Sequence, residues 1–338
     1  MKRSLCMIMV LLVALAFAFA AGCTNGGNGN TGKELKQLNF GYQPSTHQVS
    51  YMIAMDKGWW GEALEKHGYT AVKSQNEYQF ATGAPEIQSM LAGEIDVAYV
   101  GSAPVLSGIA NGLDAKIVAA VQTQGSGLVV GKNVEYNGPE SLKGKIIATF
   151  PEGTIQDTLI RKWLKANNID PDKDVDIRGM GSGDAITALT AGSVDAIFVP
   201  APSPTIAVED GVGKIVAWSG EMEENHGCCV LIVSGKLIRE NPELVTDIVK
   251  THIRASDYST AHLDEAAEVF AGYTKNTKDV IEKSFNNWDG KWVSDPRVIE
   301  DSVMNYVKEQ VKLGYLKEDL PVDKIFDFTF YEAATAKA

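Results

Sequence analysis

Pro85–Val100 reads PEIQSMLAGEIDVAYV, and Asp184–Val199 reads DAITALTAGSVDAIFV, at an offset of 99 residues. The two stretches share Ile87/Ile186, Ala92/Ala191, Gly93/Gly192, Asp96/Asp195 and Val100/Val199. In each copy apolar residues at helical spacing run to a Gly suited to the left-handed position after a helix. A short continuous apolar run then reads as a buried strand, and a Pro-containing loop follows. Helix followed by buried strand, met twice at a fixed interval, predicts two similar α/β halves.

The same alternation extends outward from both copies. Strand-like segments are expected at Leu38–Tyr42, Thr70–Lys73, Lys116–Val121, Leu128–Val130, Lys145–Ala148 and Val175–Ile177, with helices at Val49–Lys66 and Ile155–Asn167. Such alternation predicts parallel sheets with crossover helices. After Gly227 one more strand, Cys229–Val233, gives way to helix. Asn241-Pro242 and Asp295-Pro296 have the form of helix starts. These helices read as packing that returns to the first half, and Trp59-Trp60 reads as wall or core.

The chain has 338 residues, room for two ordinary domains, with 45% apolar and 22% charged residues, a globular balance. Its net charge is −12, a field that repels a phosphate backbone, so nucleic acid is not an expected partner. At the N-terminus Lys2 and Arg3 precede an uncharged apolar run from Leu5 to Ala21, the pattern of a secretory signal. Ala21-Gly22-Cys23 resembles a lipobox, with Cys23 the lipidated residue, and Thr24–Gly32 cannot pack a core and reads as a tether. The expected organisation is a signal peptide over 1–22, a tether over 23–34, one lobe from 35–125 with 235–332, and a second lobe over 126–234. Both this reading and a retained anchor helix place the body of the chain outside the cytoplasmic membrane.

Of the remaining cysteines, Cys228 and Cys229 are neighbours, and adjacent residues of a strand point to opposite faces. They read as buried small hydrophobes, and the histidines show no metal-ligand spacing, so no metal and no cofactor are expected. In open α/β sheets ligands sit beyond the carboxyl ends of strands, against helix N-termini. That rule selects the loops Gln43–Val49, Gly101–Pro104, Gln122–Gly127, Phe150–Asp157, Gly179–Asp184 and Val199–Ser203, all rich in Gly, Ser, Thr, Gln and Pro. The candidate contacts are Gln43, Ser45, His47, Gly101, Ser102, Thr123, Gly153, Thr154, Gln156, Arg178 and Ser182. Thr154 with Asp157 also has the form of a self-capped helix start.

Phe40-Gly41-Tyr42-Gln43-Pro44, Asp56-Lys57-Gly58-Trp59-Trp60, Ala92–Ala98, Gly101-Ser102-Ala103-Pro104, Leu142–Ala148 and Ala191–Ala196 follow one another in an order that resembles a known family. It is that of the substrate-binding proteins of nitrate/sulfonate/taurine ABC importers, which includes thiamine-pyrimidine-type members. The resemblance implies a two-lobed periplasmic-binding-protein-like fold of type II, with parallel-rich sheets flanked by helices and a helical C-terminal extension. It implies a monomeric, non-enzymatic receptor that closes over a small polar, anionic solute and delivers it to permease and ATPase subunits. Asp157 stands where sulfonate binders of the family often carry His and, facing the cleft, would favour an amine. A pyrimidine-synthase-type enzyme on the same fold and a ligandless surface lipoprotein are the alternatives.

Overall fold

The computed structural model describes residues 35–73, 75 and 77–336. The expected signal peptide, tether and lipidation residue Cys23 lie outside them. Among the described residues no helix is long and apolar enough to cross a membrane.

Two mixed sheets organise the body, one of six strands and one of five. The larger contains Glu77–Gln79, Phe40–Tyr42, Val97–Gly101, Gly227–Ser234, Ala115–Thr123 and Lys291–Trp292, in that spatial order. The smaller contains Asp176–Gly179, Ile146–Thr149, Ala196–Pro200, Ser126–Gly131 and Gly213–Trp218. In each sheet the first three strands are parallel and the rest antiparallel. The alternation of helix and strand foretold only the parallel part. Apart from the edge strand Lys291–Trp292, the antiparallel strands are those entering or leaving each sheet where the chain passes between them. It crosses out at Gln124-Gly125 and returns between helix Ser219–Met222 and strand Gly227–Ser234. The return precedes the expected boundary at 234/235, because Gly227–Ser234 pairs on both sides within the larger sheet.

The internal echo is structural. Helix Gly83–Leu91 leads through Gly93 (φ +75°) into Val97–Gly101, and helix Ser182–Thr190 through Gly192 (φ +69°) into Ala196–Pro200. Both aspartates of the echo do the same work. Asp96 Oδ2 accepts from the Asn39 N–H at 3.0 Å, and Asp195 Oδ2 from the Ile146 N–H at 2.9 Å. Each carboxylate thus fixes the start of the neighbouring parallel strand, which no side-chain-free loop could do as tightly.

The expected helix Val49–Lys66 is broken at Gly58, whose φ of +72° interrupts it between Val49–Asp56 and Trp59–Leu64. Trp60 is fully buried, its Nε1–H donating to Tyr51 O, so the Trp pair is core and wall as expected. The long helix Pro242–Ala261 covers this face of the larger sheet. Its buried His252 donates from Nε2 to Ala120 O at 2.7 Å and accepts at Nδ1 from Tyr99 Oη at 3.1 Å. Helix Glu300–Lys312 packs on Ser102–Ala110 and also on Ile155–Ala166, so the C-terminal helices serve more than the first half of the chain.

Two outcomes follow for stability. Asp96→Ala and Asp195→Ala each remove the carboxylate that accepts from a strand-start N–H and are expected to cost about 1–3 kcal/mol in denaturant unfolding, whereas Asp176→Ala, at an exposed site, should cost less than about 0.5 kcal/mol. Burial pushes His252 down to about 4, below its unfolded value of 6.5, so the unfolded chain takes up the extra proton as pH falls through that window. The stability difference between wild type and His252→Gln should therefore shrink by up to about 1.4 kcal/mol per pH unit between pH 6.5 and 4, read from urea midpoints.

Candidate functional site

The carboxyl ends of parallel strands from both sheets converge on one cleft. Its inner chamber is lined by Gln43 and His47 after Phe40–Tyr42, Gly101 at the end of Val97–Gly101, Thr154 and Gln156 at the start of Ile155–Ala166, and the pair Cys228-Cys229. Ser45, Phe150 and Pro200 complete its wall. About 20 Å³ is open to the centre of a water-sized guest, room for a water or two and little more. An outer chamber shares Gln43, Ser45, Phe150 and Pro200 and extends to Gly181, Ser182 and Asp184, with about 250 Å³ by the same measure.

Buried amides order the inner wall. Gln43 donates from Nε2 to Glu86 Oε2 at 2.9 Å, while its backbone N–H donates to Gln48 Oε1 at 2.6 Å. Glu86 is fully buried, and desolvation pushes its carboxyl well above the ordinary range, against the lowering effect of the Gln43 hydrogen bond. Gln156 donates from Nε2 to Ser126 Oγ at 3.1 Å and lies 3.8 Å from Cys228 Sγ. Thr154 caps its helix through Oγ1, accepting from Asp157 N. As at any helix start, the first N–H groups beyond it have no intrahelical acceptor and face an entering guest. Among the described residues no Lys or Arg lines either chamber.

His47 and the cysteines form the floor. His47 Nε2 lies 2.8 Å from Gly125 O, and its Nδ1 lies 3.5 Å from Cys228 Sγ and 3.6 Å from Cys229 Sγ. The sulfurs are 3.9 Å apart and both thiols are free. The expectation that these neighbours point to opposite faces fails because the strand is bulged: its register against Ala115–Thr123 shifts on both sides of Cys229 and leaves Cys228 without a partner there. The hydrogen bond between the two sulfurs lowers Cys229 and, with burial, raises Cys228 well above its usual value.

The structure thus brings Gln43, Ser45, His47, Gly101, Thr154 and Gln156 together, with Ser182 in the outer chamber. Ser102 is buried behind the wall, donating from Oγ to Gly227 O at 3.0 Å. Thr123 pairs within the larger sheet opposite Gly227 and Lys291. Gly153 lines a separate pocket with Ile87, Leu91 and Ser107. Arg178 is exposed, bound to Asp176 Oδ2 at 2.7 Å, and lines neither chamber. Asp157 is spent inside the protein: Oδ1 accepts from Arg161 Nε at 2.7 Å and Oδ2 from Tyr315 Oη at 2.7 Å, so it offers no grip for an amine. His226 is buried against Tyr306 Oη at 3.0 Å and does not line the cleft. Glu86, Cys228 and Cys229 went unselected among the candidate contacts, since a helix face and a strand interior gave them no loop signal.

A family model described as the NMT1-like family matches residues 31–272. A putative aliphatic sulfonates-binding protein of Bacillus subtilis (strain 168) is 28% identical over 334 residues, covering 96% of each chain. The nitrate/nitrite binding protein NrtA of Synechococcus elongatus is 24% identical over 88% of this chain and 72% of its own. Among solved structures, the nitrate-binding NrtA of Synechocystis PCC 6803 superposes with a TM-score of 0.77 at 20% identity, covering 89% of this chain and 88% of that one. The alkanesulfonate-binding SsuA of Xanthomonas axonopodis pv. citri, bound to MOPS, gives 0.75 at 18%, covering 87% and 99%. These structures share the mixed α/β fold of periplasmic binding proteins, and the chain belongs to the NMT1-like family.

Proposed function

We propose that this protein is the extracytoplasmic solute receptor of an ABC importer, tethered as a lipoprotein through Cys23 and acting as a monomer without enzymatic chemistry. Its two lobes, 35–125 with the chain after the return crossing and the segment between the crossings, close over one small polar solute and present a docking face to permease and ATPase subunits. The observation that carries this reading is the cleft itself, lined from the strand ends of both sheets by Gln43, His47, Gly101, Thr154 and Gln156. The narrow inner chamber supports a small guest that enters when the lobes part and is enclosed when they meet. The solute class is that of sulfonate, taurine, nitrate and bicarbonate. With no cationic side chain in the wall, an anion would be held by amide donors and helix-start N–H groups, each worth about 0.3–1 kcal/mol, up to ~2 when partly buried. Several must therefore act together to reach micromolar affinity, which takes about 8 kcal/mol.

Thermal unfolding of the purified protein against nitrate, bicarbonate, taurine and short alkanesulfonates tests this. A binding solute at about 100 times its Kd adds about 2.7 kcal/mol, several degrees in Tm, and Gln156→Ala should remove most of that gain while Arg178→Ala leaves it intact. No stabilisation by any of these solutes would contradict the reading.

A further inference from the structure

The floor of the inner chamber holds an arrangement that anion binding leaves unused. An ion bound tetrahedrally, with bonds of about 2.3 Å to sulfur and about 2.0–2.1 Å to nitrogen, sets its ligands about 3.8 Å apart for S···S and about 3.6 Å apart for S···N. Cys228 Sγ and Cys229 Sγ stand 3.9 Å apart, and His47 Nδ1 stands 3.5 and 3.6 Å from them. All three side chains are buried and all three line the cavity.

The surroundings of His47 suit the same role. Its Nε2 donates to Gly125 O at 2.8 Å, which fixes the tautomer and leaves Nδ1 with a free lone pair aimed at the sulfurs. A ligating histidine characteristically gives its other N–H to a carbonyl in this way. Gly125 has φ +82°, and a Cβ there would come within 2.9 Å of His47 Nε2, so the carbonyl that orients the ring depends on a glycine. The Trp288 ring, 5.7 Å away between centroids, packs beside the imidazole.

We propose that His47 Nδ1, Cys228 Sγ and Cys229 Sγ form a three-ligand site for a zinc-class divalent ion, with the fourth position left to a small donor ligand in the same cleft. Bound as two thiolates with a neutral imidazole, the three ligands cancel the charge of the ion, and any proton still held on either sulfur leaves to solvent. A divalent cation so bound leaves no net charge in a chamber that offers it no other counter-ion. The nitrogen and sulfur donor set selects zinc-class ions over magnesium and calcium. The inference deepens the solute-receptor reading and rests on it for the guest that fills the fourth position, whereas metal binding can be measured without that guest.

The test titrates the reduced, metal-free full chain with Co²⁺ and follows visible absorption. The expected result is thiolate-to-cobalt charge transfer with intense tetrahedral d–d bands, saturating at one ion per chain and bleached by Zn²⁺. Cys228→Ser and Cys229→Ser should each diminish the charge-transfer band and weaken Zn²⁺ binding by more than about 100-fold, beyond what loss of an outer-shell partner gives. A wild-type protein with no charge-transfer absorption overturns the proposal, and does so whether or not the variants fold. A spectrum undiminished in both cysteine variants also overturns it. Stabilisation by an anion in wild type and variants alike, without a cobalt spectrum, removes the metal site and keeps the solute receptor. A cobalt spectrum with no stabilisation by any anion keeps the metal site and removes the anion receptor.

Discussion

One carboxylate holds both passages of the chain between the sheets. Asp289 Oδ1 accepts from the Gly125 N–H at 2.8 Å on the outgoing crossing, and Oδ2 accepts from the Gly220 N–H at 2.6 Å near the returning one. Gln124 extends the tie, donating from Nε2 to Asp289 O at 2.6 Å and accepting from Asn225 N at 2.6 Å. Burial raises the Asp289 carboxyl, and the two backbone donors pull the other way, favouring its charged form. Because Gly125 is held here, its carbonyl meets His47, and the cleft floor inherits its geometry from the crossing.

The electrostatics of the cleft follow a second constraint, that charges near it are cancelled inside the protein. Asp157, at the start of a helix beside the inner chamber, is paired with Arg161 and bonded by Tyr315. Burial raises the Glu86 carboxyl well above its ordinary range, and Gln43 donates to it. What the inner chamber offers a guest is amides, hydroxyls, helix-start N–H groups, an imidazole and two thiols beside apolar Phe150, Pro104 and Ile155, with the Asp184 carboxylate in the outer chamber. Such a wall binds by direction and fit more than by net charge. A cation bound at the floor would be a large addition to the local field.

Much of this was legible in the sequence. The repeated helix-Gly-strand motif placed both α/β halves, because Gly93 and Gly192 carry a backbone requirement that a residue type reveals. The loops at strand ends were legible too, since the carboxyl-end rule depends only on element order, and Gln43, His47, Thr154 and Gln156 meet as it demands. What escaped depended on side-chain partners, some near in sequence and some far, that residue type alone does not reveal. Arg178 sits at a strand end, yet Asp176 claims it two residues away. Asp157 is claimed by Tyr315, 158 residues on. The pairing of Cys228 and Cys229 on one side of a strand required a bulge, and nothing in Gly227-Cys228-Cys229-Val230 announces one. The early return to the larger sheet was hidden for a related reason: an antiparallel strand joining two sheets looks, in sequence, like one more parallel one.

The central claim is that the two halves move about the Asp289 crossing and shut on a guest between them. Small-angle X-ray scattering from the purified protein, with and without a saturating solute that stabilises it, measures this most directly. The account predicts a smaller radius of gyration in the bound state. An unchanged radius across saturation, with binding confirmed in the same sample, would contradict it.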